Sequence, residues 1–113
     1  MARYLVNAFS LNMITHARTN AELGWCRISK DYAAMLAKDA VPAIGHADTA
    51  AVVGAELGLP ASPFARITVV LESGDECLVA QYQGPRLSEG ATALPDGATI
   101  DYHRVELRKI PVG

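Results

Sequence analysis

The stretch RYLVNAF at residues 3–9 decides how the fold begins, because it joins aromatic and branched side chains in one apolar run. Runs of this kind favour strands. Ser10 and Asn12 follow, and both favour turns because their side chains hydrogen-bond to nearby backbone groups. We therefore predict a short first strand here, central in the sheet.

Five strand-like stretches, including this first one, predict a mixed, roughly five-stranded sheet. Residues 65–72 and 76–82 are apolar stretches joined by residues 73–75 (SGD), a glycine-containing loop of the length typical of a β-hairpin. The remaining strands are predicted at residues 24–28 and 99–110, the latter with a bulge at His103-Arg104, where the alternation changes phase.

Two stretches have helical patterns. Ser29 can cap a helix that runs through about Lys38, because the residues between them have high helix propensity. A second helix is predicted from His46 or Asp48 to Leu57, since an acidic first turn favours a helix start and a glycine follows its end. Together these elements predict a single α/β domain over residues 1–113, with helices flanking the sheet.

Length and composition restrict the class of protein. The chain has 113 residues, half of them apolar, which suits one globular domain and excludes a disordered chain. The formal net charge is −2, which argues against nonspecific coating of nucleic acid, because that affinity needs many basic contacts to phosphate. A polyanion must therefore meet a local cluster of basic side chains.

Four side chains in the strand-like stretches are expected in the core. Cys26 and Cys77 lie singly, without disulfide or metal spacing, and are predicted to be reduced core residues. Trp25 and Tyr82 also lie in such stretches, where aromatic residues usually belong to the core, although either could stack on a base.

The chain carries no sign of a signal peptide or a membrane anchor. The first residues lack the basic-then-apolar order of a signal peptide, and no apolar run reaches the ~18 residues that a membrane span needs. We therefore expect a cytoplasmic protein, in the host cytoplasm if it is viral, with no membrane partner.

Metal and cofactor chemistry is not indicated. The three histidines are dispersed, without an i, i+4 pair or a neighbouring set of cysteines or carboxylates, so the spacing of a zinc site is missing. A serine-hydrolase elbow, a Walker loop and a dinucleotide fingerprint are missing as well. We predict no metal and no cofactor.

His46 is the candidate for chemistry. It follows Ile44-Gly45 and opens the predicted second helix, whose free N–H groups and dipole favour an anion such as phosphate. Histidine exchanges protons readily near neutral pH, so a phosphate bound there would have a proton donor beside it. The alternative is that His46 only caps the helix. Asn7 and Ser10, which close the first strand, offer hydrogen-bond partners to a ligand or simply form a turn.

Several short blocks occur in an order and spacing that match a known family. They are residues 7–13 (NAFSLNM), Ile44-Gly45-His46 with Thr49, Arg66, and residues 86–90 (RLSEG). On these blocks the chain resembles the viral anti-CRISPR ring nucleases of type III systems, small proteins first known as a domain of unknown function in archaeal viruses. The resemblance covers roughly residues 3–110.

The resemblance implies a symmetric homodimer that binds cyclic tetra-adenylate, the second messenger of type III CRISPR defence, and cleaves it without metal into linear di-adenylates. It implies that His46 is the catalytic residue. Cleavage needs a ribose 2′-hydroxyl in line with its own phosphorus and a proton for the 5′-oxygen, which His46 can supply. The positions that carry over as ligand-binding are Asn7, Ser10, Leu11, Gly45, Thr49, Arg66, Gln81, Arg86 and Glu89.

Two departures from the family pattern bear on the ligand contacts. The approach to the loop arginine, residues 83–85 (QGP), is one residue longer, so either Gln81 or Gln83 matches the ligand-contacting glutamine. The segment before the last strand is short and turn-like, where some relatives carry a helix.

Two other functions stay open on the sequence. A nonenzymatic binder that sequesters the cyclic nucleotide needs the same arginines and loop but no acid. A small DNA-binding regulator is disfavoured, because the net charge is negative and no helix carries basic and amide residues together, so we expect no stable DNA binding. A histidine at position 46, rather than Asn or Gln, favours the enzyme.

Overall fold

The described part of the chain is one α/β domain built on a single mixed sheet. The computed structural model describes residues 1–17, 20–59 and 64–109. The strands are β1 (Arg3–Val6), β2 (Glu22–Ile28), β3 (Val41–Pro42), β4 (Glu76–Gln83) and β5 (Thr99–Lys109). Two α-helices, α1 (Lys30–Ala37) and α2 (Ala47–Leu57), and two short 3-10 helices, Leu11–Met13 and Thr15–Ala17, complete the described elements. The fold class predicted from the sequence is confirmed.

The sheet has the strand order β2-β5-β4-β1-β3. β1 runs parallel to both of its neighbours, β3 and β4, whereas β5 pairs antiparallel with β4 and β2. The first stretch of the sequence is thus a strand inside the sheet, as predicted, although it ends at Val6. Because β1, β3 and β4 share one direction, their C-terminal ends lie at the same edge of the sheet.

Each face of the sheet buries its own apolar cluster. Leu5 and Leu78 face α1 and α2 in the first cluster. Val6 and Val79, their neighbours along the same strands, face the opposite way and pack with Leu71 in the second. Successive side chains of a strand point to opposite faces, so both strands are buried on two sides and read as continuous apolar runs. A buried Leu contributes roughly 1.5–3 kcal/mol to folding.

Both predicted helices are confirmed to within a residue or two. The hydroxyl of Ser29 accepts a hydrogen bond from the N–H of Tyr32 at 3.1 Å, which caps α1 as expected. α2 follows His46 and ends at Leu57. No helix of the described ranges is long and apolar enough to cross a membrane.

The predicted hairpin over residues 65–82 is wrong. Residues 76–82 do form a strand, but β4 pairs with β1 on one side and β5 on the other, so no edge is left for residues 65–72. The turn itself exists, since the N–H of Asp75 donates to the carbonyl of Glu72 at 2.9 Å. The local turn forms, but the pairing of β4 with β1 and β5 excludes the hairpin.

The predicted bulge at His103-Arg104 is also wrong. The pairing of β5 with β4 is continuous, and the one register shift between β2 and β5 lies at Glu22/Leu23. His103 and Arg104 simply take opposite faces of β5. Polar side chains interrupt the hydrophobic alternation there without interrupting the ladder. Residue 110, the predicted end of this strand, lies outside the described residues.

The edge position of β2 explains two further corrections. Cys26 is exposed, and Trp25 is 66% exposed, where it stacks on His103 with ring centroids 5.8 Å apart. Both residues were expected in the core, but an edge strand has fewer neighbours to cover it. Cys77, on central β4, is buried as predicted, and burial raises the pKa of its thiol to about 12. Tyr82 is half-buried.

Candidate functional site

The chain leaves the C-terminal edge of the sheet toward opposite faces. After β1 it packs onto the second face through Phe9 and Met13, whereas α2, which follows β3, packs onto the first face through Val53. Ligands of open α/β sheets bind outside the carboxyl ends of the strands, at points where the chain diverges in this way.

A cleft of about 650 Å³ lies at this edge. The volume falls within the range of small-molecule binding sites. One wall is the beginning of α2, and the other is the end of β4 with residues 84–90, which we call the lid loop. The residues that line the cleft are His46, Asp48, Thr49, Tyr82, Gly84, Arg86, Leu87 and Glu89.

His46 is held at the N-terminus of α2 by its backbone. Its φ and ψ of −89° and 118° are extended, and its carbonyl accepts the first helical hydrogen bond from the N–H of Ala50 at 2.9 Å. Its side chain makes no capping hydrogen bond and is exposed. The imidazole is therefore available to a ligand, beside helix N–H groups that have no helical partner.

Gly45 allows Arg66 to lie beside His46. A Cβ built on Gly45 would fall 2.9 Å from the Cβ of Arg66 and 3.2 Å from its Cα, closer than side chains normally approach. A glycine is thus needed for this contact. The segment that carries Arg66 reaches the site next to β3, where the N–H of Ala65 donates to the carbonyl of Pro42 at 3.4 Å. Arg66 adjoins the cleft rather than lining it.

Two side chains hold the lid loop at its ends. The N–H of Gly90 donates to Oδ1 of Asp48 at 2.9 Å, and the hydroxyl of Tyr82 donates to the carbonyl of Pro85. The loop begins at Gly84, whose φ of 154° and close approach to Ala98 would not admit a side chain without movement. These contacts fix the position of the loop against α2.

The lid loop brings charge to the cleft. Arg86 and Glu89 lie on it, opposite His46 and Asp48 at the start of α2. The Asp48 carboxylate is already engaged by the N–H of Gly90. An anion can therefore be held by Arg86 together with the N-terminus of α2. Among the described residues, no group of His, Cys, Asp and Glu could hold a metal ion.

The structure brings some of the predicted site residues together and leaves others apart. His46, Thr49, Arg86 and Glu89 share the cleft, with Gly45 and Arg66 next to it. Asn7, Ser10 and Leu11 are exposed just past β1, at the same edge of the sheet, but do not line the cleft. The Ser10 hydroxyl accepts a hydrogen bond from the N–H of Asn12 at 3.2 Å and so has the turn role.

The two candidate glutamines point away from the cleft. Along β4, side chains alternate, so Gln81 and Gln83 lie on the face opposite Tyr82. The side chain of Gln83 donates to Oδ2 of Asp101 at 2.7 Å. Gln81 is exposed on that same face. Neither Gln81 nor Gln83 lines this cleft, and the glutamine contact implied by the resemblance stays a prediction.

The sequence alone does not identify Asp48 as a site residue, and for Tyr82 it leaves a core position and stacking on a base both open. An acidic residue in the first turn of α2 needs no further explanation. Its partner, Gly90, is distant in sequence, and only the fold brings the two together. Tyr82 resembled a core aromatic, and its alternation with Gln81 and Gln83 along β4 was the available signal that it faces the helices.

Comparison with known proteins agrees with this architecture. No curated protein matches the chain. The solved structure of B116 of Sulfolobus turreted icosahedral virus is similar, with a TM-score of 0.77 and 24% sequence identity over 94% of this chain and 99% of that chain. At that identity the likeness shows the fold. The model of the STIV B116-like family matches residues 3–108, nearly the whole chain, and the protein therefore belongs to the STIV B116-like family.

Proposed function

We propose that this protein is a metal-independent ring nuclease that binds cyclic tetra-adenylate and cleaves it to linear di-adenylates in the cytoplasm. Removal of this messenger would switch off type III CRISPR effectors. The observation that carries the proposal is the exposed, uncapped imidazole of His46, which shares a cleft with Arg86 at the N-terminus of a helix. The sequence blocks in which the chain resembles the viral ring nucleases, His46 and Arg86 among them, support the choice of substrate class.

A phosphate fits the start of α2. The first N–H groups of the helix have no helical partner, and the positive end of its dipole attracts an anion. Arg86 on the lid loop can add two parallel hydrogen bonds to phosphate oxygens. Arg66, packed against Gly45, adds a second guanidinium group nearby. A bound phosphodiester would thus lie beside the His46 imidazole.

The cleavage step uses groups of the ring and one group of the protein. A ribose 2′-oxygen forms a bond to the adjacent phosphorus, and the bond from phosphorus to the 5′-oxygen breaks. The 2′-hydroxyl proton passes to solvent, and protonated His46 gives its proton to the departing 5′-oxygen. The ends are a 2′,3′-cyclic phosphate and a 5′-hydroxyl, and two cuts release two di-adenylates. General acid catalysis of this kind contributes about 10²–10⁴-fold.

The contacts of the lid loop would keep Arg86 in position for the ligand. Its bonds to Asp48 and Tyr82 keep Arg86 against α2, so little ordering remains to be done when the ligand binds. Holding the 2′-oxygen in line with phosphorus is worth more than proton transfer in favourable cases. Thr49 on α2 offers a hydroxyl to the same ligand.

A homodimer suits a ring substrate. A ring of four nucleotides is larger than the drug-sized ligands that fill a cleft of about 650 Å³, so one cleft would hold only part of it. A two-fold dimer presents the same residues twice, and a cyclic tetranucleotide offers equivalent phosphates on opposite sides. Each protomer would then make one of the two cuts.

The test is incubation of purified protein with cyclic tetra-adenylate in excess EDTA, beside His46→Ala, with products separated by chromatography. We expect di-adenylate from the wild type and an intact ring from the variant. A ring that stays intact but co-elutes with wild-type protein would establish a binder that sequesters the messenger instead. A wild-type protein that neither binds nor cleaves the ring would refute the proposal.

A DNA-binding role has less support in the cleft. Two of the side chains that line it, Asp48 and Glu89, are acidic, and the chain has a net charge of −2. A duplex needs a broad basic surface for its affinity. A salt titration of binding to duplex DNA would detect such a surface as a steep loss of affinity with salt, and we expect no measurable binding.

A further inference from the structure

The strand β2 is a free edge of the sheet. It pairs only with β5 and has seven residues, whereas β3 at the other end of the strand order has two. In an antiparallel ladder every second residue points its N–H and carbonyl groups away from the partner strand. Within the described ranges, β2 makes no backbone hydrogen bond on that free side. A long edge of this kind is a template for a further strand.

One face of β2 is apolar and exposed. Trp25 lies opposite Val105, which in turn lies opposite Cys77 of the second apolar cluster, so the indole is on the second face of the sheet. Leu23, two residues earlier, shares this face. Leu23 is exposed, and Trp25 is 66% exposed. We call these two side chains the apolar shelf.

The other face of β2 carries guanidinium groups. Cys26 lies opposite Arg104, and Gly24 lies opposite Glu106. A Cβ built on Gly24 would fall 2.6 Å from Nε of Arg108 and 2.7 Å from its Cζ and Nη2. The Arg108 side chain therefore extends from β5 over β2, toward the free edge. It can do so because residue 24 is a glycine, which has no side chain to occupy that space.

The charges on this face leave an excess of positive charge near the edge. Arg3 and Arg104 share the Glu76 carboxylate, and Arg104 and Arg108 share that of Glu106. Three guanidinium groups thus face two carboxylates. Arg108 is the most exposed of the three, with a side chain 58% exposed. It is the group that an approaching carboxylate would meet first.

A small hollow lies among these groups. Its volume is about 100 Å³, and it is lined by Gly24, Trp25, Cys26, Arg104, Glu106 and Arg108. Sites for free small molecules have volumes of roughly 300 Å³ or more. The hollow therefore suits a single side chain presented by a bound strand.

We infer that the free edge of β2 binds an extended segment of a protein partner in which acidic and apolar residues alternate. Added as a strand, such a segment gains backbone hydrogen bonds along β2, and its side chains point alternately to the two faces. Its apolar side chains would cover the apolar shelf, and its carboxylates would meet Arg108 and Arg104. A second copy of this chain fits less well, because pairing of β2 with itself would bring the arginines of both copies onto one face.

A designed peptide tests this edge in the full chain. The probe has seven residues of alternating glutamate and valine with blocked ends, and a lysine–valine peptide of the same length is its control. Trp25 is the only tryptophan of the chain, so its fluorescence reports cover of the apolar shelf. At millimolar peptide we expect the glutamate probe to shift Trp25 emission to shorter wavelength and to change the NMR shifts of β2 amides. The lysine peptide should do neither.

Three variants identify the groups that recognise the probe. Arg108→Ala should weaken binding of the glutamate peptide roughly two- to fivefold, as expected for one surface ion pair, and Arg108→Glu should favour the lysine peptide instead. Gly24→Ala keeps every charge but displaces the Arg108 guanidinium, so it should weaken binding as well. Arg27→Ala is the matched control. It removes one exposed charge from the opposite face of β2 and should leave the affinity unchanged.

Four results would overturn the inference. They are no binding of the glutamate peptide, equal binding of both peptides, equal losses in Arg108→Ala and Arg27→Ala, and NMR shifts confined to the cleft. If Trp25→Lys halves the mass of the protein in light scattering, a second copy occupies the edge, which would overturn it too. None of the substituted residues lines the cleft, so these results are independent of ring cleavage.

Discussion

The hydrogen bond from Gly90 to Asp48 should control the order of the lid loop. Asp48→Ala removes the carboxylate that accepts the Gly90 N–H at 2.9 Å. Hydrogen bonds to charged groups contribute about 1.5–3 kcal/mol, and the lower end applies because Asp48 is half-buried and the bond is exposed. A loss near 1.5 kcal/mol corresponds to roughly a tenfold change in an equilibrium constant.

Two measurements report this loss. Hydrogen exchange of the Gly90 amide, followed by NMR in the free protein, should speed up by roughly tenfold in Asp48→Ala. In a His46→Ala background, which blocks turnover in the proposed mechanism, calorimetry with cyclic tetra-adenylate should show an affinity lower by a similar factor. In the Asp48→Ala variant, part of the free energy of ligand binding would be used to order Arg86 on the lid loop, which lowers the affinity.

Asp48→Asn separates the bond from the charge. Asparagine keeps an oxygen that can accept the Gly90 N–H but loses the favourable charge at the helix start, as alanine does. We expect it to retain part of the protection at Gly90. Unchanged exchange of the Gly90 amide in Asp48→Ala would refute the view that Asp48 holds the lid loop. Equal effects of Asn and Ala would assign the change to helix electrostatics instead.

Three further predictions concern the site and the stability of the fold. Gly45→Ala should displace Arg66, because the new methyl group would lie 2.9 Å from its Cβ and 3.2 Å from its Cα, and calorimetry should show weaker ring binding; unchanged binding would contradict a role for Arg66 beside the cleft. Glu76→Gln should destabilise the protein by roughly 3 kcal/mol in urea unfolding, since this carboxylate is 1% exposed and paired with two arginines; a loss below about 1 kcal/mol would contradict it. Burial raises the pKa of Cys77 from 9.0 and that of Tyr102 from 10.0, both to about 12, so the folded state favours the neutral groups. The contribution of these two groups to the free energy of unfolding should be fully present below pH 9 and be lost between pH 9 and 12 in urea unfolding, whereas a rise of stability over that interval would contradict the sign.

The parts of the fold that depend on local signals could be predicted from the sequence. Ser29 caps α1, and the stretch from Ala47 to Leu57 forms α2, because helix caps and propensities act over a few residues. The first strand, β1, was predictable as well, because a continuous apolar run is typical of a strand that is buried on both faces. His46 at the start of α2 was found from the same helix signal.

The remaining features depend on contacts between distant residues. Residues 65–72 form no hairpin with β4, because β1 and β5 occupy both of its edges. Trp25 is exposed because β2 has an edge position that only the strand order reveals. The bond between Asp48 and Gly90 joins residues 42 positions apart. No local pattern encodes these three features.

Proton donation by His46 is the central claim, and a ring with sulfur in place of the bridging 5′-oxygens tests it most directly. A thiolate leaves without a proton, so a general acid is not needed for that substrate. In single-turnover reactions with excess EDTA, we expect His46→Ala to lose about 10²–10⁴-fold on the natural ring and little on the sulfur-containing ring. An equal loss on both substrates would contradict the assignment of His46 as the general acid.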